Sequence, residues 1–382
     1  MAAFNGTLRS NEIFSALYNM IISQQVFADN IQKHQTLVDK AKEEAGLFGD
    51  QKLYYSADVI GSNPWGNDAE AGNLLELDRP DAPEVQALVI DTFRQVRLTT
   101  DEYLSKRAWG TESAFANFTS VMIGMIDIAK KIYEGTLYNV FIGTSKSAES
   151  AQNITIDLDE GVDANVDESA LDLAKLEAMN IAKGLADLFV KMGDYSTDFN
   201  DYHHMRSYSG ENIKVIWNSK FVNKVRKVDL PTIFHKDGLV DKFDEDILPE
   251  RYFGNPVAAA VTAEANLGGY LSMIEKNYQV ANAAADPRAK LNKKDNKYYV
   301  HVFPGQEIPA GVAIAAGESY TVDADVICKV LVKLPPMLSA FSVGTSFFNP
   351  RSLTTNRYLT WGHSTLEYLK NYPFITVKKA SE

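Results

Sequence analysis

Asp198, Asp201, His203 and His204 bring two carboxylates and two imidazoles into seven consecutive positions, the best candidate cluster for chemistry in this sequence. Such a set could hold zinc or run acid–base chemistry, which would make the chain a metal-dependent enzyme. Neighbouring side chains of an extended segment point to opposite faces, however, so His203 and His204 would not easily share one ion. A polar surface loop is the competing expectation. His363 and Glu367 are spaced i, i+4 and would meet on a helix, but Ser364 reads as an N-cap that starts a short helix after His363. That pair is expected to be structural. Two basic runs, Lys220–Lys227 and Lys290–Lys297, hold four cations each and are expected as solvated faces.

The signatures of common enzymes are missing. Neither phosphate-cradling glycine loop, G-x-x-x-x-G-K-S/T or G-x-G-x-x-G, occurs, and H-E-x-x-H and G-x-S-x-G are absent too. Carboxylate groups such as Asp244, Glu245 and Asp246 are too plentiful in an acidic chain to mark a site. Cys328 is the one cysteine, so no internal disulfide or thiolate zinc site can form, and a reducing compartment is expected. Met1–Arg9 lacks the pattern of a secretory leader. No catalytic residue, metal or cofactor is assigned, and the chain is expected not to be an enzyme.

Composition narrows the classes further. The 382 residues are 45% hydrophobic and 11% aromatic, enough to bury a sizeable core and too rich for disorder. A formal net charge of −12 opposes general binding to nucleic acid, whose affinity comes mainly from Lys and Arg. The longest uncharged stretches, Ile13–Ala28 and Leu334–Pro350, are shorter than the ~18 apolar residues of a membrane span and are rich in Ser, Asn, Gln or Pro. No membrane association is expected.

Stepping along the chain, residues 10–48 carry a helical period through Ile13, Leu17, Met20, Ile21, Phe27 and Ile31. Leu53, Tyr55, Ala57 and Val59 alternate with polar neighbours as a strand, residues 61–83 are turn-rich, and 85–104 read as a long second strand. These two strands predict a hairpin of about 15 to 20 residues per arm. Its faces are not clean: Leu88, Ile90, Val96 and Leu98 share a side with Arg94, while Val89 and Phe93 share the other with Asp91 and Arg97. Either the hairpin lies over a partner surface or it packs as an edge on its own domain. Thr111 then caps a helix to about Val140, striped by Phe115, Phe118, Met122, Met125, Ala129, Ile132 and Tyr133.

The second half mixes both element types. A strand is expected at 154–158, a helix from its cap at Asp167 to Gly193, a strand at 213–217 and a short helix from Phe221 to Val228. Residues 231–256 read as acidic and aromatic loop, and the Ala-rich 257–285 as helical in part. Short strands follow at 298–303, 311–315, 319–322 and 326–334, then 357–362 and 374–377. The order argues for an α+β chain rather than regular βαβ units.

This succession resembles the tailed-bacteriophage major capsid proteins of the Hong Kong 97-type fold, similar in size to those of small short-tailed phages. The stretch DTFRQVRLTTDEYLSKRAWGTESAFANFTSVMIGMIDIAKKIYEGTLYNVFIG, Asp91 to Gly143, is similar to that family's passage from extended loop to spine helix. VIWNSKFVNKVRK, Val215 to Lys227, is similar to a strand and helix of its axial domain. The resemblance implies an N-terminal arm (1–48), an extended loop (49–110), a spine helix of the peripheral domain (111–150), an axial domain (151–340) with a β-rich insertion at 255–335, and C-terminal return strands (341–382). It implies pentamers and hexamers closing into an icosahedral head shell around phage double-stranded DNA, in a virion assembled in the host cytoplasm. A scaffolding protein and a portal would be partners, and DNA would be enclosed without sequence-specific binding. An encapsulin-like nanocompartment is the rival with the same fold. Leu88, Ile90, Phe93, Val96 and Leu98 are the expected inter-subunit contacts.

Overall fold

A computed structural model describes residues 37–46, 49–62, 79–101, 112–144, 152–161, 170–222, 244–263, 269–340 and 342–380. They begin with a one-turn helix, α1 (Leu37–Ala41), that runs directly into a strand, β1 (Lys42–Glu44). This corrects the reading of 10–48 as a single helix. Lys42, Glu43 and Glu44 pair in parallel with Met337, Leu338 and Ser339, and such pairing outweighs a helical preference of about 0.5 kcal/mol per residue. Residues 10–36 of the expected arm lie outside the described residues, as does the loop segment 63–78.

β2 (Gln51–Ser56) and β3 (Glu84–Asp101) form the expected hairpin, with Gln51 opposite Val89 and Ser56 opposite Glu84. The paired length is shorter than expected, because β2 has only six residues while β3 has 18. α2 (Glu112–Thr144) is a helix of 33 residues, about 50 Å at 1.5 Å per residue, running past the expected end at Val140. Its expected cap, Thr111, lies outside the described residues.

β4 (Asn153–Ile156) and α3 (Ala170–Gly193) come next, and Gly184 lets them touch closely. A Cβ at Gly184 would sit 2.6 Å from Cδ1 of Ile156. β5 (Lys214–Asn218) is followed by the start of the expected short helix at 219–222. The expected acidic loop is corrected by β6 (Asp244–Leu248), which pairs in parallel with β5. Three consecutive acids resist a strand unless their charge is met. Here Lys214 Nζ, on a nearly buried side chain, lies 2.6 Å from Asp244 and 2.7 Å from Asp246.

Short strands follow from residue 254 to 322: β7 (Gly254–Pro256), β8 (Val261–Thr262), β9 (Leu271–Ser272), β10 (Lys276–Val280), β11 (Lys290–Asn292), β12 (Lys297–Val302), β13 (Ala313–Ile314) and β14 (Ser319–Val322). No helix occurs among the described residues of 257–285, which corrects that expectation. The Ala run there is short, and Tyr278 and Val280 alternate into a small core with Val300, Val302, Ile308 and Ile314.

The chain closes with β15 (Val326–Leu331), β16 (Met337–Ser339), β17 (Val343–Asn349), β18 (Thr354–Ser364) and β19 (Phe374–Lys379). Neither β16 nor β17 was expected. One sheet has the order β4-β19-β15-β5-β6, and a second has β1-β16-β18-β3-β2 with β17 also on β18. The first sheet is covered on both faces. α3 packs Ala178, Ile181, Leu185 and Leu188 on Val215, Trp217, Val330 and Ile375, while α2 brings Tyr138, Val140 and Ile142 to Ile216, Leu331 and Phe374 on the other side. Burial on both faces explains why β5 and β15 read as near-continuous apolar runs.

Candidate assembly interface

β3 has two faces that the chain treats differently. Gln86, Leu88 and Ile90 point inward, where the two apolar residues pack with Leu338, Ala340 and Leu369. Gln86 is held at both ends of its amide: Nε2 donates to the carbonyl of Tyr368 at 3.0 Å and Oε1 accepts from the Lys370 amide at 3.0 Å. Leu88 is 1% exposed and Ile90 0%, so both belong to the chain's own core. That removes them from the expected inter-subunit contacts, because nothing is left of either for a second copy to cover.

Past Val89, β3 leaves β2 and is paired by β18, with Arg94 opposite Trp361, Val96 opposite Leu359 and Leu98 opposite Arg357. Val96 and Leu98 are half-buried on this inward face. Phe93 lies on the outward face opposite Gly362, and there it is exposed. A Cβ at Gly362 would come within 3.1 Å of the Phe93 ring, so the glycine lets the ring lie against the sheet.

The outward face is where uncovered apolar surface gathers. Leu53 and Tyr55 on β2 stand beside Val85, Ala87 and Val89 on β3, and Phe93 continues the row. Of these Leu53, Tyr55, Val85, Val89 and Phe93 are exposed large hydrophobic side chains, Tyr55 at 65%. Of the expected contact residues, Phe93 lies in this row. Alternation alone could not say which of two apolar-bearing faces would be covered by residues some 250 positions downstream.

One member of the acid and histidine cluster, His204, holds the base of this hairpin together with Arg206. His204 is buried, with Nδ1 2.8 Å from the Ser56 hydroxyl at the end of β2. Ser56 Oγ also donates to Asn371 Oδ1 at 2.7 Å. Arg206 Nη2 donates to the Ala57 carbonyl at 2.8 Å and to Asn371 Oδ1 at 3.2 Å. Asp58 accepts from the Met205 amide, which holds its carboxyl below the usual carboxylate range. Asp201 accepts from Gln152 Nε2 at 2.9 Å and from the Tyr368 hydroxyl at 2.6 Å. His203 adopts a left-handed turn at φ 55°, and the backbone amide of Asp198 donates to Ser196 Oγ. Among the described residues no three His, Cys, Asp or Glu side chains are grouped to hold a metal ion. The metal reading of 198–204 is therefore corrected: His204 and its neighbour Arg206 brace the hairpin base, while Asp201 ties to Gln152 and Tyr368.

A second junction fixes the distal ribbon to α2. Tyr133 is buried under β18, its ring edge-on to Trp361 at 5.9 Å. His363 Nδ1 lies 2.8 Å from the Ser364 carbonyl, which can only accept, so Nδ1 carries the proton. Nε2 then accepts from the Tyr133 hydroxyl at 2.8 Å, and Arg94 Nε donates to the same oxygen at 3.2 Å. Burial pushes the His363 pKa down from its ordinary value, keeping the ring neutral. This corrects the helical reading of His363 and Glu367: Ser364 ends β18 rather than capping a helix, because the strand pairing with β3 continues through it.

The other candidates carry less. Lys290–Lys297 form the exposed β11–β12 turn, with Lys297 Nζ donating to Gln279 Oε1 at 3.3 Å. Lys220 faces Glu250 at 3.3 Å, and Lys224–Lys227 lie outside the described residues. Cys328 is buried in β15, and burial pushes its thiol well above the ordinary range, leaving it inert.

No protein-family model matches the chain, and no curated protein matches it. Solved structures do. A chain in the capsid structure of Staphylococcus phage Andhra superposes with a TM-score of 0.58 at 10% identity, covering 94% of this chain and 87% of that one. A chain in the structure of head fiber and inner core protein gp22 of native bacteriophage P68 gives 0.58 at 10% identity, covering 93% and 87%. Nearly the whole of this mixed α+β chain therefore takes up a fold found in phage capsid structures.

Proposed function

We propose that the chain is a major capsid protein of a tailed bacteriophage, self-assembling through pentamers and hexamers into the icosahedral head shell that encloses double-stranded DNA. The observation that carries this is the fold likeness, which runs across 94% of the chain rather than one module of it. The structure supports it locally. A rigid hairpin, clamped at its base, offers Leu53, Tyr55, Val85, Val89 and Phe93 to solvent in one row, and such a row marks a protein-binding surface. Val96 and Leu98, half-buried on the other face of the same strand, are proposed to meet a second copy from that side.

On this reading residues 1–48 are the arm, 49–110 the extended loop, 111–150 the spine, 151–340 the axial domain and 341–382 the return strands. The net charge of −12 suits a wall that encloses DNA without gripping it, since like charge is screened only over about 10 Å. Assembly would take place in the host cytoplasm with a scaffolding protein and a portal, and the product would be the virion. Electron microscopy of the purified protein tests the proposal. Closed particles with DNA inside them in the native host support it; particles filled with protein cargo point to a nanocompartment, and a permanent monomer overturns it.

A further inference from the structure

β17 is an edge strand without the usual defences. It pairs with β18 on one side, and among the described residues nothing pairs with its other side. Every residue from Val343 to Phe348 is exposed, with Phe347 at 61% and Phe348 on the opposite face also exposed. No charged residue occurs from Leu334 to Pro350, in a chain that carries 88 Lys, Arg, Asp and Glu side chains, 38 basic and 50 acidic. Natural edge strands are normally blunted by Lys, Pro, a bulge or a cover, because a bare row of N–H and C=O groups recruits another strand. Between Val343 and Asn349 β17 has no Lys, Pro or bulge, and among the described residues nothing covers its free edge.

We infer that β17 pairs antiparallel with β17 of a second copy across a two-fold axis at Ser346. The inference deepens the self-assembly reading by naming one contact, and it rests on that reading for the identity of the second copy. Two-fold symmetry makes any such pairing antiparallel and self-complementary. Centred on Ser346, all seven residues of the strand find partners, for about six to eight backbone hydrogen bonds.

The side chains fit that register. Phe348 falls opposite Gly344 of the second copy, and a Cβ at Gly344 would meet nothing within 4 Å, so its face is open to receive a ring. On the other face Phe347 falls opposite Thr345, an aromatic beside a β-branched residue. Ser346 meets Ser346. The alternative partner edge, β3 beyond Val89, carries Asp91, Arg94 and Arg97 and would set these charges against the bare phenylalanines. The uncharged edge matches itself better.

Cysteine crosslinking tests the register, and the inert buried Cys328 leaves the background clean. In the inferred pair the two Cα atoms of residue 346 lie about 4.5–5.5 Å apart, inside the disulfide range. Those of residue 345 or 347 lie about 8 Å apart, beyond it. Ser346→Cys, Thr345→Cys and Phe347→Cys proteins are incubated in their assembled state with oxidised glutathione, which takes up the two electrons as two thiols lose their protons and join. A disulfide-linked dimer on non-reducing gels for Ser346→Cys, absent for Thr345→Cys and Phe347→Cys, is expected. No dimer, or equal dimer from all three, overturns the pairing. Light scattering on the same samples separates the two ideas: large particles without the Ser346→Cys dimer sink the pairing alone, and dimers that never grow into particles sink the shell.

Discussion

Replacing Phe93 with Asp separates the fold from the assembly. The Phe93 side chain is 41% exposed, so a second copy covering the rest of it would contribute about 1 kcal/mol of the roughly 2–3 available from complete burial of a phenylalanine. An unpaired carboxylate trapped there costs at least about 2 kcal/mol more. The sum, about 3 kcal/mol per contact, weakens each contact about a hundredfold. The isolated subunit loses only about 1 kcal/mol from the strand surface, a small part of a typical stability of about 5–15 kcal/mol. Thermal unfolding followed by circular dichroism should thus show a cooperative, slightly lowered melt, while sedimentation of the same sample shows particles replaced by free subunits. Leu88→Asp is the contrasting variant: with Leu88 only 1% exposed, cavity and stranded charge together cost about 4 kcal/mol or more, so the melt of the subunit itself should fall several times further than that of Phe93→Asp. Full assembly of Phe93→Asp, or its failure to fold, would refute the assignment of the two faces of β3.

Two other perturbations probe the supports of the ribbon. The folded pKa of His363 lies below its ordinary 6.5, so the unfolded chain binds the proton first and stability falls as pH drops below about 6.5. Melting temperature measured between about pH 7.5 and 5.5 should fall more steeply for the parent than for His363→Gln, and equal slopes would contradict the neutral-ring geometry. The lowered carboxylates of Asp58 and Asp91 lose their contribution only below their ordinary 3.8, outside that window. Arg206→Ala removes the donors to Ala57 and Asn371 and should cost about 2–3 kcal/mol, with faster amide exchange confined to β2 and its partner residues on β3; uniform exchange would show that Arg206 is not a hairpin clamp.

Much of this architecture was legible because period and burial agree. The stripe through Met122, Ala129 and Tyr133 announces α2, and Leu185 and Leu188 announce α3, since each helix buries one face on a sheet. The hairpin base was legible from β2 and β3 alone. What escaped depends on distant partners. β6 reads as acidic loop until Lys214, 30 residues earlier, supplies the missing charge. β1 reads as helix until Met337–Ser339 pair with it. β17 has apolar residues on both faces and no period, because neither face is covered among the described residues. The exposed row of Leu53, Tyr55, Val85 and Val89 could not be told from the buried pair Leu88 and Ile90, since Ala340 and Leu369 choose between them. His204 reads as a ligand or a loop residue until Ser56 is placed 2.8 Å from it.

On the proposed function, this subunit is finished only by copies of itself. Multi-angle light scattering of the purified full chain over rising concentration, with negative-stain images of the largest fraction, measures that directly. Closed shells of uniform diameter at the expense of free subunits, lost on Phe93→Asp, are expected. A monodisperse monomer of 42.4 kDa at every concentration, with Tyr55 and Phe93 still open to solvent, would contradict it.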